Sequence, residues 1–168
     1  MKDDTVHTVK VTTDNDDDNP AVVTVSDQPD NDPINFEVKK VDKETGEVIQ
    51  GDANLSGAQF TVKYYNKYYN SKSDLPSTAT RTWVLETKKA ANGNFVLQFD
   101  DRYKVSGDEF YKNSSGGTCV PYGTITIQET KAPDGYKISD STVSVNGQVL
   151  NDRTYFTKVS GKDGEQPS

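Results

Sequence analysis

The fold is indicated by residues 34–40, which read INFEVKK. Side chains on a strand alternate between its two faces, so three apolar residues of this stretch share one face with Lys40, while polar residues take the other face. The apolar residues are Ile34, Phe36 and Val38. The face that should pack against a core therefore ends on a lysine.

A second strand pattern, GTITIQE at residues 123–129, ends in the same way. Alternation places Ile125, Ile127 and Glu129 on the inward face and predicts that the other side chains face solvent. Those side chains are Thr124, Thr126 and Gln128. Because a lone buried ion is costly, a lysine and a glutamate on inward faces are tolerated only where they meet each other or react.

Three stretches of the chain resemble the Cna protein B-type (CnaB, or SpaA-like) domains of Gram-positive surface adhesins and pilins. They are FEVKKVDKETG at residues 36–46, LSGAQFTV at 55–62 and YGTITIQETKAPDGY at 122–136. The resemblance implies an all-β, immunoglobulin-like (CnaB-type) β-sandwich with inserted loops, located outside the cell on the cell surface or wall. It also implies that Lys40, on the first strand, bonds covalently to an Asn or Asp on the last strand, with Glu129 assisting.

A weak internal repeat affects where such an acceptor would lie. Residues 5–12 resemble residues 153–160, and one further strand, at 21–27, follows the first copy but not the second. The domains predicted from this pattern are 1–29, which belongs to or resembles the end of a preceding repeat, a linker at 30–33, and a sandwich at 34–168 that lacks its own last strand.

Asp27 is the predicted acceptor, because alternation places it at the end of its strand on one face with Val23 and Val25. Asn151 is a weaker candidate, since it lies before the strand predicted at 154–159 and not at the end of that strand. An Asn in a sequence that continues beyond Ser168 is a further alternative.

Desolvation in an apolar pocket disfavours charge, so we expect the Lys40 amine to lose its proton and act as the nucleophile. Glu129, kept neutral, would hydrogen-bond and polarise the acceptor carbonyl and carry the proton to the leaving group. The event would occur once per molecule, so the chain is not expected to be an enzyme in the ordinary sense. The alternative is a buried Lys40–Glu129 ion pair with no covalent bond.

The composition of the 168 residues favours strands and argues against several classes of function. Thr, Tyr and Val are frequent, whereas Leu and Ala are few. The net charge of −7 would repel nucleic-acid phosphates and leaves no basic stripe for an anionic membrane. No apolar run approaches the roughly 20 residues that span a bilayer, and no signal peptide, metal cluster or cofactor motif is predicted. The expected partners are neighbouring repeats of the same protein.

Short strands with turn residues between them are predicted along the whole chain. They are 5–12, 21–27, 34–41, 58–65, 81–87, 94–99, 123–129, 141–145, 148–151 and 154–159. Asn146-Gly147 predicts a two-residue hairpin turn, while Pro29 and Pro33 predict that the linker cannot continue a ladder. Residues 66–80 and 100–121 are predicted as polar connections or insertions. The first expected function is a structural stalk or repeat module of a cell-wall-anchored adhesin or pilus. These loops suggest the alternative, an adhesive module that binds a host matrix protein or glycan.

Other features carry weaker predictions. Residues 14–19 (DNDDDN) space oxygen ligands like a calcium loop, but a solvated acidic turn is the preferred interpretation. The tyrosine-rich residues 64–69 form either an exposed binding patch or, as we prefer, half core and half strand edge. Cys119, the single cysteine, can form no disulfide within the chain and is expected to be a half-buried apolar residue. His7, the single histidine, has no predicted partner.

Overall fold

The computed structural model describes residues 31–32, 36–40, 54–138, 143–145 and 148–160, all within a unit that runs from Asn31 to Ser168. The strands predicted at 5–12 and 21–27 lie outside the described residues, as do His7, the acidic residues 14–19 and Asp27.

The described residues form short strands joined by turns and by two brief 3₁₀ turns. The strands are β1 (Asn31–Asp32), β2 (Glu37–Lys40), β3 (Gln59–Tyr65), β4 (Arg81–Glu86), β5 (Lys88–Lys89), β6 (Phe95–Gln98), β7 (Lys104–Gly107), β8 (Tyr111–Lys112), β9 (Thr118–Pro121), β10 (Gly123–Lys131), β11 (Val143–Val145), β12 (Gln148–Leu150) and β13 (Thr154–Val159). The 3₁₀ turns are Lys72–Asp74 and Asp101–Tyr103. Within the described part of the chain, no helix has the length and apolar character needed to cross a membrane.

The strands assemble into antiparallel sheets, two of which form the sandwich. The larger sheet has the order β13-β10-β3-β4-β7, and the smaller has the order β2-β6-β5. A third sheet, β1-β9-β8, and the hairpin β11-β12 hold the remaining described strands. The predicted all-β, immunoglobulin-like sandwich is confirmed.

Aromatic side chains fill the space between the two large sheets. Trp83 on β4 is fully buried, and its ring lies edge-on to Phe99 with centroids 4.8 Å apart and stacks on Phe110 at 5.6 Å. Phe99, which follows β6, also contacts Phe36 at a centroid distance of 5.4 Å. Tilted and edge-to-face rings are favoured arrangements for buried aromatic pairs. These contacts join side chains of the five-stranded sheet to those of the three-stranded sheet.

A single residue, Thr87, connects β4 to β5, although these strands belong to different sheets. Its buried hydroxyl donates to the carbonyl of Leu55 at 2.6 Å and accepts from the backbone N–H of Ala58 at 3.1 Å. The Thr87 backbone N–H also donates to the Ala58 carbonyl at 2.9 Å. The corner between the sheets is thus fixed to the segment that leads into β3.

The tyrosine-rich residues 64–69 are largely built into the sandwich. Tyr64 is buried and its hydroxyl donates to the carbonyl of Tyr122 at 3.0 Å. Tyr65 is also buried, and its ring meets that of Tyr69 edge to face with centroids 6.1 Å apart. The structure agrees with the interpretation of this run as half core, and an exposed tyrosine patch is not formed.

Thr124 and Thr126 are both buried, so the prediction that they face solvent was wrong. The segment that follows β3 covers the outer face of β10: the Tyr69 N–H donates to the Thr124 hydroxyl at 3.1 Å, and that hydroxyl donates to the Lys67 carbonyl at 2.8 Å. A central strand covered in this way is buried on both faces. The alternation of residues in β10 cannot predict that its outer face is buried, because the residues that cover this face lie elsewhere in the chain.

Residues 100–121, predicted as a polar connection, contain the strands β7, β8 and β9, so that prediction was wrong there. The segment contributes buried Phe110 and Val120 to the core. Its apolar residues are too few and too widely spaced to show a strand period, and the strands form because partners in other segments pair with them.

The predicted linker also enters a ladder, contrary to expectation. Asn31 and Asp32 form β1 and lie opposite Pro121 and Val120. Pro29 and Pro33 do not prevent this pairing, since Asn31 and Asp32 keep their own N–H groups. The hairpin prediction fares better: Val145 lies opposite Gln148, so two residues connect β11 to β12.

Candidate functional site

Lys40 ends β2 on the face predicted for it. Exposure alternates along the strand, with Glu37 and Lys39 exposed and Val38 and Lys40 half-buried. In the pairing with β6, Lys40 lies directly opposite Phe95, which is buried. The lysine stem therefore runs along an apolar neighbour before its ammonium reaches a polar one.

Glu129 lies near the end of β10, on the inward face with Ile125 and Ile127. Its partner across the ladder with β3 is Phe60, which is also buried. Both charged residues thus face a phenylalanine across their own sheet. The sequence alone did not identify Phe60 and Phe95 as neighbours of the site, because strand register is needed to place them.

The structure brings Lys40 and Glu129 together across the two sheets. The Lys40 Nζ donates to Glu129 Oε2 at 2.9 Å, and the two side chains are 24% and 15% exposed. A charge-assisted contact of this length satisfies the ammonium and one carboxylate oxygen. It joins the three-stranded sheet to the five-stranded sheet at one end of the core.

The other carboxyl oxygen, Glu129 Oε1, is buried and has no hydrogen-bond partner among the described residues. Buried carboxyl oxygens are nearly always satisfied, because leaving one unpaired costs about 1–3 kcal/mol. An unpaired oxygen beside an amine marks a place where a further polar group would be stabilised.

A β-bulge follows Glu129 directly. Glu129 pairs with Phe60 and Lys131 pairs with Gln59, so Thr130 is an extra residue with no position of its own in the ladder. Its hydroxyl lies 3.2 Å from that of Thr61 on the outer face. Strict alternation would have turned Lys131 inward next to Glu129, whereas the bulge leaves Lys131 exposed.

The predicted acceptors do not join this pair among the described residues. Asp27 lies outside them, and its role stays a prediction. Asn151 is exposed in the bend after β12 and makes no hydrogen bond to Lys40 or Glu129. An exposed carboxamide is poorly placed for a reaction that requires desolvation.

Cys119 is fully buried on β9, not half-buried as expected, and is a free thiol. Burial raises the pKa of the Cys119 thiol, while the nearby Lys112 lowers it to a lesser degree. A buried thiol with a raised pKa is a weak nucleophile.

Within the described residues, no group of three His, Cys, Asp or Glu side chains could hold a metal ion.

The family model described as "SpaA: Prealbumin-like fold domain" matches residues 34–163, a span that contains Lys40, Glu129 and both large sheets. The chain belongs to this family. SpaA domains are typical of Gram-positive pilins and other surface proteins. Comparison with curated proteins gave no match. The SpaA-like resemblance of the sequence is confirmed, and the narrower CnaB type stays a prediction for this SpaA domain.

Proposed function

We propose that this SpaA domain is a structural stalk or repeat module of a cell-wall-anchored adhesin or pilus, stabilised by an amide cross-link that it forms itself. One observation carries the proposal: Glu129 holds the Lys40 ammonium with one oxygen and has a second, buried oxygen that no described residue contacts by a hydrogen bond. An acceptor carboxyl or carboxamide at that oxygen would complete a set of nucleophile, proton carrier and electrophile.

The reaction would be a condensation. One proton first passes from the Lys40 ammonium to Glu129. The neutral Nζ then attacks the side-chain carbonyl carbon of the acceptor, a C–N bond forms, and the C–O bond of an Asp or the C–N bond of an Asn breaks. Glu129, in its acid form, donates a hydrogen bond to the acceptor carbonyl and passes the proton to the leaving water or ammonia. Asp27 is our preferred acceptor, either from the same molecule or, after strand exchange, from a neighbouring copy. Each site reacts once, because the lysine and the acceptor are consumed when the bond forms. The proposed reaction is therefore not a catalytic cycle.

A bond at Lys40 would give the module mechanical resistance. Lys40 lies on β2, the first strand of the three-stranded sheet. The proposed acceptor lies on a different strand, which would complete the sandwich. With a covalent bond between these strands, a pulling force on the chain is borne by that bond, and the hydrogen bonds between the strands are not broken one after another. The proposed site of action is the extracellular cell wall, with neighbouring repeats as partners.

The alternative, an adhesive module, has less support. It relied on exposed tyrosines and on two polar insertions, yet Tyr64 and Tyr65 are buried and the segment at 100–121 forms strands that contribute to the core. The features that suggested a host matrix protein or glycan as ligand are thus largely structural.

The decisive experiment is the intact mass of the full chain under denaturing conditions, followed by peptide mapping. We expect the mass to fall by one water for an Asp acceptor or one ammonia for an Asn acceptor, and a branched peptide to contain Lys40. If the chain has its full calculated mass and forms no covalent oligomer on a denaturing gel, the proposal is wrong and the site is an ion pair without a covalent bond.

A further inference from the structure

The insertion between β3 and β4 runs along β13 instead of projecting into solvent. Its residues 66–72 contact the strand at both ends. At one end the Tyr68 hydroxyl donates to the Val159 carbonyl at 2.8 Å. At the other end the Lys72 ammonium donates to the Thr154 carbonyl at 3.2 Å and to Asp152 Oδ1 at 2.6 Å. The insertion therefore spans the length of the strand in the opposite direction.

Contacts between these two ends make the association continuous. The Lys158 ammonium donates to Asn70 Oδ1 at 3.0 Å and lies 5.7 Å from the centroid of the Tyr68 ring. The same insertion is anchored on the neighbouring strand β10, where the Thr124 hydroxyl bonds to the backbone of Lys67 and Tyr69. Residues 66–72 thus connect β13 to the centre of the five-stranded sheet by a route separate from the β10–β13 ladder.

The position of β13 gives these contacts their importance. Among the described strands, β13 lies at the edge of the five-stranded sheet, and β10 is its ladder partner there. Edge strands with one ladder partner open first when a sheet frays, because fewer backbone bonds hold them. Any tension applied from the C-terminal side of this unit reaches β13 before the other strands of that sheet.

We propose that residues 66–72 are a clasp that holds β13 on the sheet and sets the free energy of its local opening. Its biological meaning rests on the proposed stalk function, since a clasp on the last described strand reinforces the module at the end opposite in sequence to Lys40. The clasp itself rests on non-covalent contacts and does not require a cross-link.

The test is amide hydrogen exchange on the full chain, comparing wild type with the double variant Tyr68→Phe/Lys72→Met. These substitutions keep most of both side chains and remove the hydroxyl and ammonium that bond to β13. We expect exchange at Thr154–Val159 to accelerate by about tenfold to a hundredfold, with much smaller changes in β3 and β4. Trypsin cleavage after Arg153 and Lys158 should accelerate in parallel.

The matched control is Tyr103→Phe/Lys63→Met. The polar groups of Tyr103 and Lys63 make no hydrogen bond with other described residues, so the control changes the same side-chain types without touching β13. An acceleration at β13 no larger than that of the control, or an equal acceleration in all strands, would overturn the clasp. Intact mass of the wild type reports the cross-link separately, so a missing cross-link would leave this comparison valid.

Discussion

The side-chain amide of Gln148 pairs with the backbone of Phe156 as a neighbouring strand would. Gln148 Nε2 donates to the Phe156 carbonyl at 2.9 Å, and the Phe156 N–H donates to Gln148 Oε1 at 2.9 Å. One side chain on β12 thus occupies a donor and an acceptor on the outer edge of β13. Unpaired groups on such an edge invite pairing with another chain, so Gln148 also protects the sheet against edge-to-edge association.

Replacing Gln148 with Leu should therefore destabilise the fold and open the edge. We expect a loss of about 1–2 kcal/mol in the free energy of unfolding, because two part-buried backbone groups lose their partners. The midpoint of urea unfolding and size-exclusion chromatography at high concentration measure the two effects. Gln98→Leu is the control, since the Gln98 side chain makes one exposed hydrogen bond among the described residues, to Glu37. Equal midpoints and monomeric elution in both variants would contradict this role.

Lys40→Ala should abolish the mass loss expected for the wild type and lower the melting temperature. Lys39→Ala should do neither, because Lys39 is exposed on the other face of the same strand. Removing a native covalent tie such as a disulfide typically costs about 2–5 kcal/mol, and a comparable loss is expected here. Intact mass and thermal unfolding of both variants are the measurements. A mass loss that persists in Lys40→Ala would assign the reaction to another amine.

Glu129→Ala should fold into a similar sandwich and yet leave Lys40 and the acceptor unjoined, because the carboxyl assists the reaction without being consumed. Circular dichroism checks the fold and intact mass checks the bond. Glu86→Ala serves as the control, since Glu86 makes a long, exposed ion pair with Lys88 at 3.5 Å. If Glu129→Ala forms the bond at the normal rate, Glu129 is simply the ion-pair partner of Lys40.

Thr87→Val should be strongly destabilising although it preserves shape. The variant removes the hydroxyl that bonds to Leu55 and Ala58, leaving a buried carbonyl and a buried N–H without that partner, at a cost of about 2–4 kcal/mol. Thr87→Ser keeps the hydroxyl and should recover most of the loss. Thr82→Val on β4 is the control, because the Thr82 hydroxyl makes no hydrogen bond with other described residues. Denaturant unfolding compares the variants, and similar midpoints for Thr87→Val and Thr82→Val would refute the assignment.

The contact between Lys72 and Asp152 should make part of the stability pH-dependent. The hydrogen bond from Lys72 holds the pKa of the Asp152 carboxyl below its ordinary value, and desolvation opposes this more weakly. A carboxyl whose pKa is lower in the folded state adds stability above its unfolded pKa and loses it as pH falls through the folded pKa. The stability difference between wild type and Lys72→Met should thus be present at neutral pH and shrink in acid. Thermal unfolding across this pH range is the check, and a difference that stays constant would exclude Asp152 as the titrating group.

Where the sequence predicted the site well, the signal came from alternation within single strands. The alternation in residues 36–40 placed Lys40 on the inward face without any knowledge of the partner strand, and the same count placed Glu129. Two charges on inward faces then predicted their own proximity, because each would be costly without the other. This part of the candidate site needed no register.

The errors arose where distant segments decide the environment. Thr124 is buried because Lys67 and Tyr69 cover it, and β9 forms because β1 and β8 lie beside it. Neither contact can be predicted from the spacing of apolar residues in the local sequence. The bonds of Gln148 to Phe156 were likewise invisible, since a glutamine on a short hairpin strand resembles any other polar surface residue.

The extra residue at Thr130 has a consequence for which lysine meets the carboxylate. Lys40 and Lys131 both lie on strands that reach the same end of the sandwich, and a regular β10 would have directed two ammonium groups at Glu129. Two like charges there would repel each other and share one acid between them. By shifting the parity of a single strand, Thr130 sends Lys131 to solvent opposite Gln59 and reserves Glu129 for Lys40. The β-bulge thus determines which of two chemically identical amines faces Glu129, through the parity of one strand alone.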